Sequence, residues 1–148
     1  MTRVEGHGES PGRVTGIGGV FFRSPDPAAT RAWYAQHLGR GIDEYGSNFR
    51  WRSHAEPDQT AFTQWSAFPY DTDYFGDDRQ EAMINYRVDD LDALLERLSE
   101  AGVEIVGEMQ IEPFGRFQHV VDGDGRRVEL WEPIDTEYTK IVDGITET

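Results

Sequence analysis

One phrase is written twice in this chain, and no other feature restricts its fold as much. Residues 19–39 read GVFFRSPDPAATRAWYAQHLG and residues 83–102 read MINYRVDDLDALLERLSEAG. Setting Arg23 over Arg87 gives an offset of 87 − 23 = 64, which also places Phe22 over Tyr86 and Asp26 over Asp90. Each copy opens as an apolar strand, turns at an acidic residue, continues as a helix and stops at glycine. In the first copy Asp26 suits the N-cap, Pro27 the first helical position and Gly39 the stop, with Trp33, Tyr34 and Leu38 predicted as the buried stripe. In the second, Leu91, Leu94, Leu95 and Leu98 fall at i, i+3, i+4 and i+7, with Asp89 or Asp90 as cap and Gly102 as terminator.

Strands follow each helix. NFRWRS (48–53) and TAFTQWSAF (60–68) are joined by the turn residues HAEPDQ, and VEIVGEM (103–109) precedes FGRFQHVV (114–121) and RRVELWEP (126–133). The last two are linked by DGDG, the residue chemistry of a tight hairpin. Each unit therefore reads as strand, helix and about three strands, an α+β arrangement of two tandem βαβββ modules. The predicted divisions are a loose arm at 1–14, a first module at 15–68, a linker at 69–81, a second module at 82–133 and a tail at 134–148. The linker is acidic but holds Tyr70, Tyr74 and Phe75, which are predicted to dock on the body. The tail is open to a short strand or helix.

Charge and composition narrow the function. With 28 acidic and 14 basic side chains, a net charge of −14 repels polyphosphate backbones and anionic membranes, so no nucleic-acid or membrane partner is expected. Cysteine is absent, which excludes disulfides, thiolate nucleophiles and sulfur-ligated zinc. No apolar run approaches the roughly 20 residues of a membrane span. The first fifteen residues contain no signal-like stretch, and a cytoplasmic location is the expectation.

The tandem pattern, the aspartate before each helix, RVDDLDALLERLSEAGVEI and the closing DGDGRRVELWEP together resemble the vicinal oxygen chelate superfamily, across residues 15–133. That superfamily includes glyoxalases, extradiol dioxygenases and bleomycin-resistance proteins. The resemblance implies two half-sheets curved around a shared cleft, helices on the convex side, and frequent two-fold homodimers. It also implies a divalent ion held by His and Glu side chains, with open positions for vicinal substrate oxygens. The positions that the pattern gives to histidine are here Gly19 and Met83, each seven residues before its capping aspartate. The last-strand glutamate is present as Glu129, and its alternation with Val128 and Leu130 points it into the cleft. The remaining position falls at Thr63 or Gln64, depending on register. One carboxylate and one weak neutral ligand do not make a dependable ion site, so no cofactor is expected; an atypical divalent site would pair Glu129 with His119 or Gln64.

Of the four histidines, His7 lies in the arm, His37 near the end of the first helix and His54 in a hairpin loop. His119 stands on a strand predicted to pair with that of Glu129, its face left open between a half-buried hydrogen bond and a cleft-facing acid, base or ligand. Asn85 and Arg87 alternate with Tyr86, so either can meet a polar ligand, while Arg87 can instead pair with a local acid such as Asp89 and Arg23 with Asp26. Phe62, Trp65 and Trp131, with Trp51 and Phe68, can form core or the stacking walls of an aromatic site. The first functional reading is metal-free capture of a small organic molecule between the modules, with Gln64, Trp65, Asn85, Arg87, Phe62 and Trp131 at the ligand. The alternative is a lyase, isomerase or dioxygenase-type enzyme with Glu129 and His119 as its catalytic pair, Glu129 acting as base or as part of an atypical ion site. A structural or regulatory dimer module is the third.

Overall fold

The computed structural model describes residues 11–142; His7, most of the predicted arm and the end of the tail lie outside them. The chain runs β1 (Val14–Ser24), α1 (Pro27–Leu38), β2 (Ser47–Arg52), β3 (Thr60–Pro69), β4 (Ala82–Val88), α2 (Leu91–Glu100), β5 (Ile105–Glu112), β6 (Gly115–Val121), β7 (Arg127–Pro133) and α3 (Asp135–Val142). The seven strands make one open sheet in the order β2-β3-β1-β4-β7-β6-β5. β1 and β4, the first strands of the two copies, pair antiparallel at the centre, and each is flanked on its outer side by the parallel last strand of its own module. The two modules are thus halves of one sheet. The first has two strands after its helix rather than three; residues 39–46 contribute only a single bridge, Asp43 to Gly46.

The helices form where their caps dictate. Asp26 accepts from Ala29 N at 3.2 Å, Pro27 opens α1, and Gly39 follows it in the left-handed region at φ 70°. Asp90 caps α2 by accepting from Ala93 N. Asp89 does something else: its Oδ1 accepts from Gly12 N at 2.7 Å and Arg13 N at 2.9 Å. Arg97 of α2 donates to the carbonyls of Pro11 and Gly12, so the described end of the arm is tied to the second module rather than loose.

α2 packs as predicted, Leu91 and Leu94 joining Val88, Val120 and Leu130 in a core cluster with Leu95 and Leu98 against it. α1 does not. It buries no residue, and Trp33 and Leu38 are 52% and 62% exposed. Only Tyr34 of the predicted stripe seats on the sheet, its ring 4.7 Å from Trp65 and 6.3 Å from Phe22. One aromatic wedge is enough to hold the helix off the strands, which leaves the flanking apolar residues in solvent.

The opposite face of the sheet carries Phe62, Gln64, Ser66 and Phe68 of β3, Gly19 and Phe21 of β1, Met83, Asn85 and Arg87 of β4, Arg127, Glu129 and Trp131 of β7, and Phe117 and His119 of β6. Two segments outside the repeat cover it. At one end α3 lays Tyr138 and Val142 on Phe62 and Trp131, with Phe114 and Phe117 beside them. At the other, residues 69–81 dock Phe75 and Tyr74 on Phe21, Met83 and Phe68, as predicted for the linker aromatics; Tyr70 alone stays exposed. Arg23 fastens this strap. Rather than pairing with Asp26, its guanidinium donates to the carbonyls of Tyr70, Thr72, Asp77 and Gln80.

Candidate functional site

Across the middle of the covered face the ladders place Gln64, Gly19, Asn85, Glu129 and His119 side by side on five neighbouring strands. Gly19 is thus in the row and Met83 adjoins it, lying two residues along β4 from Asn85 and opposite Phe21. The pairs Gly19–Asn85 and Phe21–Met83 exchange under the 64-residue offset, so the pseudo-two-fold axis passes through the Val20–Ile84 pair between them. The same axis relates the Asn85–Glu129 pair to Phe21–Ser66. The first-module counterpart of Glu129 is therefore Ser66, not Thr63 or Gln64. Ser66 Oγ donates to Tyr45 O at 2.9 Å.

This quartet of Gly19, Met83, Ser66 and Glu129 does not fit a divalent ion. Gly19 has no donor atom, and a Cβ there would stand 2.7 Å from Cζ of Phe21, whose ring folds back over the glycine. Met83 is buried among Phe21 and Phe75. Glu129, only 2% exposed, already accepts from three side chains: Asn85 Nδ2 at 2.7 Å, His119 Nε2 at 2.9 Å and the Tyr74 hydroxyl. A carboxylate offers about four lone-pair sites. Three are engaged. Among the described residues no group of three or more His, Asp or Glu side chains is placed to hold a metal.

The Glu129 cluster has one loose end. Asn85 Oδ1 is buried with no partner, because the amide must turn its nitrogen toward Glu129 and leaves its oxygen against Gly18. A Cβ on Gly18 would collide with that oxygen, so glycine is needed there. Tyr74 sits edge-on to His119 at 4.8 Å and stacks on Phe68 at 5.5 Å. Burial, then the charge and hydrogen bond of Glu129, push the Tyr74 hydroxyl far above the ordinary phenol range, so it acts as a permanent donor. Tyr74 was legible in sequence as an aromatic that docks, but nothing in an aperiodic acidic linker marks which carboxylate its hydroxyl meets.

The other predicted site residues separate. Asn85 and His119 meet Glu129. Arg87 is buried, forms a bidentate pair with Asp135 (3.0 and 2.5 Å) instead of Asp89, and lies 5.4 Å from the ring centroids of both Trp51 and Trp131. Phe62 and Trp131 are core beneath α3, with Trp131 Nε1 donating to Phe114 O. Trp65 points to the other face, against Phe22 and Tyr34, because odd and even positions of β3 face opposite ways. Gln64 stays on the row, reaching Tyr45 O at 3.4 Å. His37 packs beside Trp33.

One hollow borders the row at His119, and another lies at the Arg87 end of the sheet. The larger, about 600 Å³, lies between the modules and is lined from the first by Thr15, Trp51 and His54, from the second by Arg87 and Glu132, and from α3 by Asp135. The smaller, about 310 Å³, reaches His119 and Tyr74 from the β5 side, where the ladder breaks between Val106 and Gln110.

Residues 16–130 match the family model described as Glyoxalase/Bleomycin resistance protein/Dioxygenase superfamily. The chain belongs to that superfamily. A search of curated proteins found no match. Among solved structures, methylmalonyl-CoA epimerase from Mycobacterium tuberculosis is similar at 23% identity and TM-score 0.59, over 90% of this chain and 97% of that one. A variant of Streptomyces coelicolor methylmalonyl-CoA epimerase, in complex with 2-nitronate-propionyl-CoA, gives 13% and 0.62 over 82% and 99%. A superfamily member from Vibrio splendidus 12B01 gives 12% and 0.50 over 78% and 97%. At these identities the likeness is one of fold.

Proposed function

We propose that this superfamily member captures a small organic molecule in the hollow between its modules, without a metal ion. The observation that carries the reading is the 600 Å³ hollow, built by both modules and walled by the Trp51 indole and the Arg87–Asp135 pair. Its size lies within the range of small-molecule sites, and an indole beside a fixed ion pair suits a planar ligand with a polar edge. The three side-chain donors already on Glu129 support the metal-free part. Trp51 Nε1 is held by Thr63 Oγ1 at 2.9 Å, so the indole is already oriented.

Indole emission tests this directly. A panel of planar heterocyclic and aromatic metabolites should include compounds that shift the emission and raise the melting temperature of the wild-type protein, with Trp51→Phe weakening the response about tenfold. No response across the panel, or one unchanged in Trp51→Phe, overturns the site. Protein purified without chelator should contain no stoichiometric Ni, Zn, Fe or Mn. A two-fold homodimer is proposed on the family resemblance alone, and sedimentation velocity reads it.

The His119–Glu129 contact favours a second reading, acid–base catalysis on a carbon acid. It requires Tyr74 to leave the carboxylate, since three donors crowd the base. Incubation with methylmalonyl-CoA in deuterated water distinguishes the two: deuterium at the α-carbon, abolished by Glu129→Gln, would replace the binding reading with an enzymatic one.

A further inference from the structure

The smaller hollow contains an arginine that the rest of the molecule leaves unanswered. The other inward-facing arginines are fully engaged: Arg87 by Asp135, and Arg23 by four strap carbonyls. Arg127 is different. Among the described residues its guanidinium has no carboxylate partner, and its one hydrogen bond is a long contact of 3.4 Å from Nη1 to Tyr74 O. The guanidinium lies flat on Gly76, where a Cβ would stand 3.0 Å from Cζ, Nε and Nη2 at once. A guanidinium without a carboxylate partner, in a chain of net charge −14, is a fork that can take an anion.

The surroundings define which anion. Phe117, itself stacked on Trp131 at 5.6 Å and 6°, and Tyr74 supply aromatic walls, and His119 stands beside them with Nε2 engaged by Glu129. Asp73 and Glu108 line the same hollow and penalise each negative charge brought in, so a ligand with a single carboxylate placed directly on Arg127 is favoured over a multiply charged one. About 310 Å³ has room for one ring and its substituent, not for a nucleotide-sized molecule. We propose that this hollow is a second binding site, separate from the inter-module one, for a small planar monocarboxylate, its carboxylate on Arg127 and its ring against Phe117 and Tyr74.

Benzoate is the probe, with benzamide as its uncharged isostere, titrated into the full chain by calorimetry at low salt. Saturable benzoate binding in about the millimolar range or tighter is expected, at least about tenfold stronger than benzamide and weakening as salt rises. Arg127→Gln should cost benzoate about tenfold or more while leaving benzamide unchanged, which shows that the hollow itself survives the substitution. Arg127→Lys should retain part of the affinity, and Trp51→Phe, in the other hollow, all of it. Absence of saturable benzoate binding overturns the proposal, as does equal affinity in Arg127→Gln. Loss of benzoate binding in Trp51→Phe overturns it too, by placing the ligand between the modules, and in doing so supports the first site.

Discussion

A carboxylate with 2% of its surface in water has to be compensated by its own neighbours, and Glu129 shows how few positions in the chain can do it. Asn85 and His119 reach it because they stand opposite it on the adjoining strands. Tyr74 reaches it from a segment with no pairing to either. Tyr74→Phe keeps the ring that stacks on Phe68 and removes only the donor, so its cost is that of one hydrogen bond to a charged group, about 1–3 kcal/mol in urea unfolding. A loss under about 0.5 kcal/mol would mean that the hydroxyl does not support the buried charge. The inward aim of Glu129 was legible, since Val128 and Leu130 leave it one side of the strand. The side taken by His119 was not, because FQHVV alternates polar and apolar residues too weakly to choose. Gly19 was read as a missing ligand; the structure adds that the Phe21 ring occupies the room a ligand would need.

At the scale of elements, α3 and the strap cover the two ends of one face of the open sheet. The α3 end is fixed electrostatically as well as by packing: Arg87 and Asp135 are 8% and 11% exposed and paired through two contacts. Removing one partner of such a pair leaves the other charge buried, which outweighs the pair's own net value. Asp135→Asn should therefore lower unfolding free energy by about 3–5 kcal/mol and release α3, read as amide exchange over 135–142 rising well above that of α2. An effect near zero would show that water reaches Arg87. The second module was legible down to its helix face because leucines at helical spacing and DGDG between strands are strong local signals. The first was less so: its helix seats through Tyr34 alone, and residues 39–46 replace a strand with a single bridge. The covering role of 69–81 and 134–142 is a tertiary event, with no periodicity to announce it beyond the aromatics themselves.

For the whole molecule, one buried and one half-buried phenol tie stability to alkaline pH. Tyr138 packs among Phe62, Phe114 and Trp131 and donates to Asn48 Oδ1 at 2.8 Å. Burial pushes its hydroxyl from 10.0 up to about 12, with the charge of Asp43 adding to the rise. Tyr74 is raised further, by burial and by the charge and hydrogen bond of Glu129. A phenol whose pKa is higher folded than unfolded is neutral in both states below the unfolded value, so the full stability is present there. Above it the unfolded chain releases the proton first, and stability falls as pH climbs toward the folded value. The loss should begin near pH 10 and, for Tyr138, grow to at most about 2–3 kcal/mol by about pH 12. Urea unfolding across that window measures it. Tyr138→Phe starts less stable at neutral pH, having lost the Asn48 bond, but should show a shallower decline, the remainder belonging to Tyr74 and to the growing repulsion of an already acidic surface. If wild-type and Tyr138→Phe decline in parallel, Tyr138 is not held neutral by the fold, and the seating of α3 on the inner face of the sheet would have to be looser than its contacts indicate.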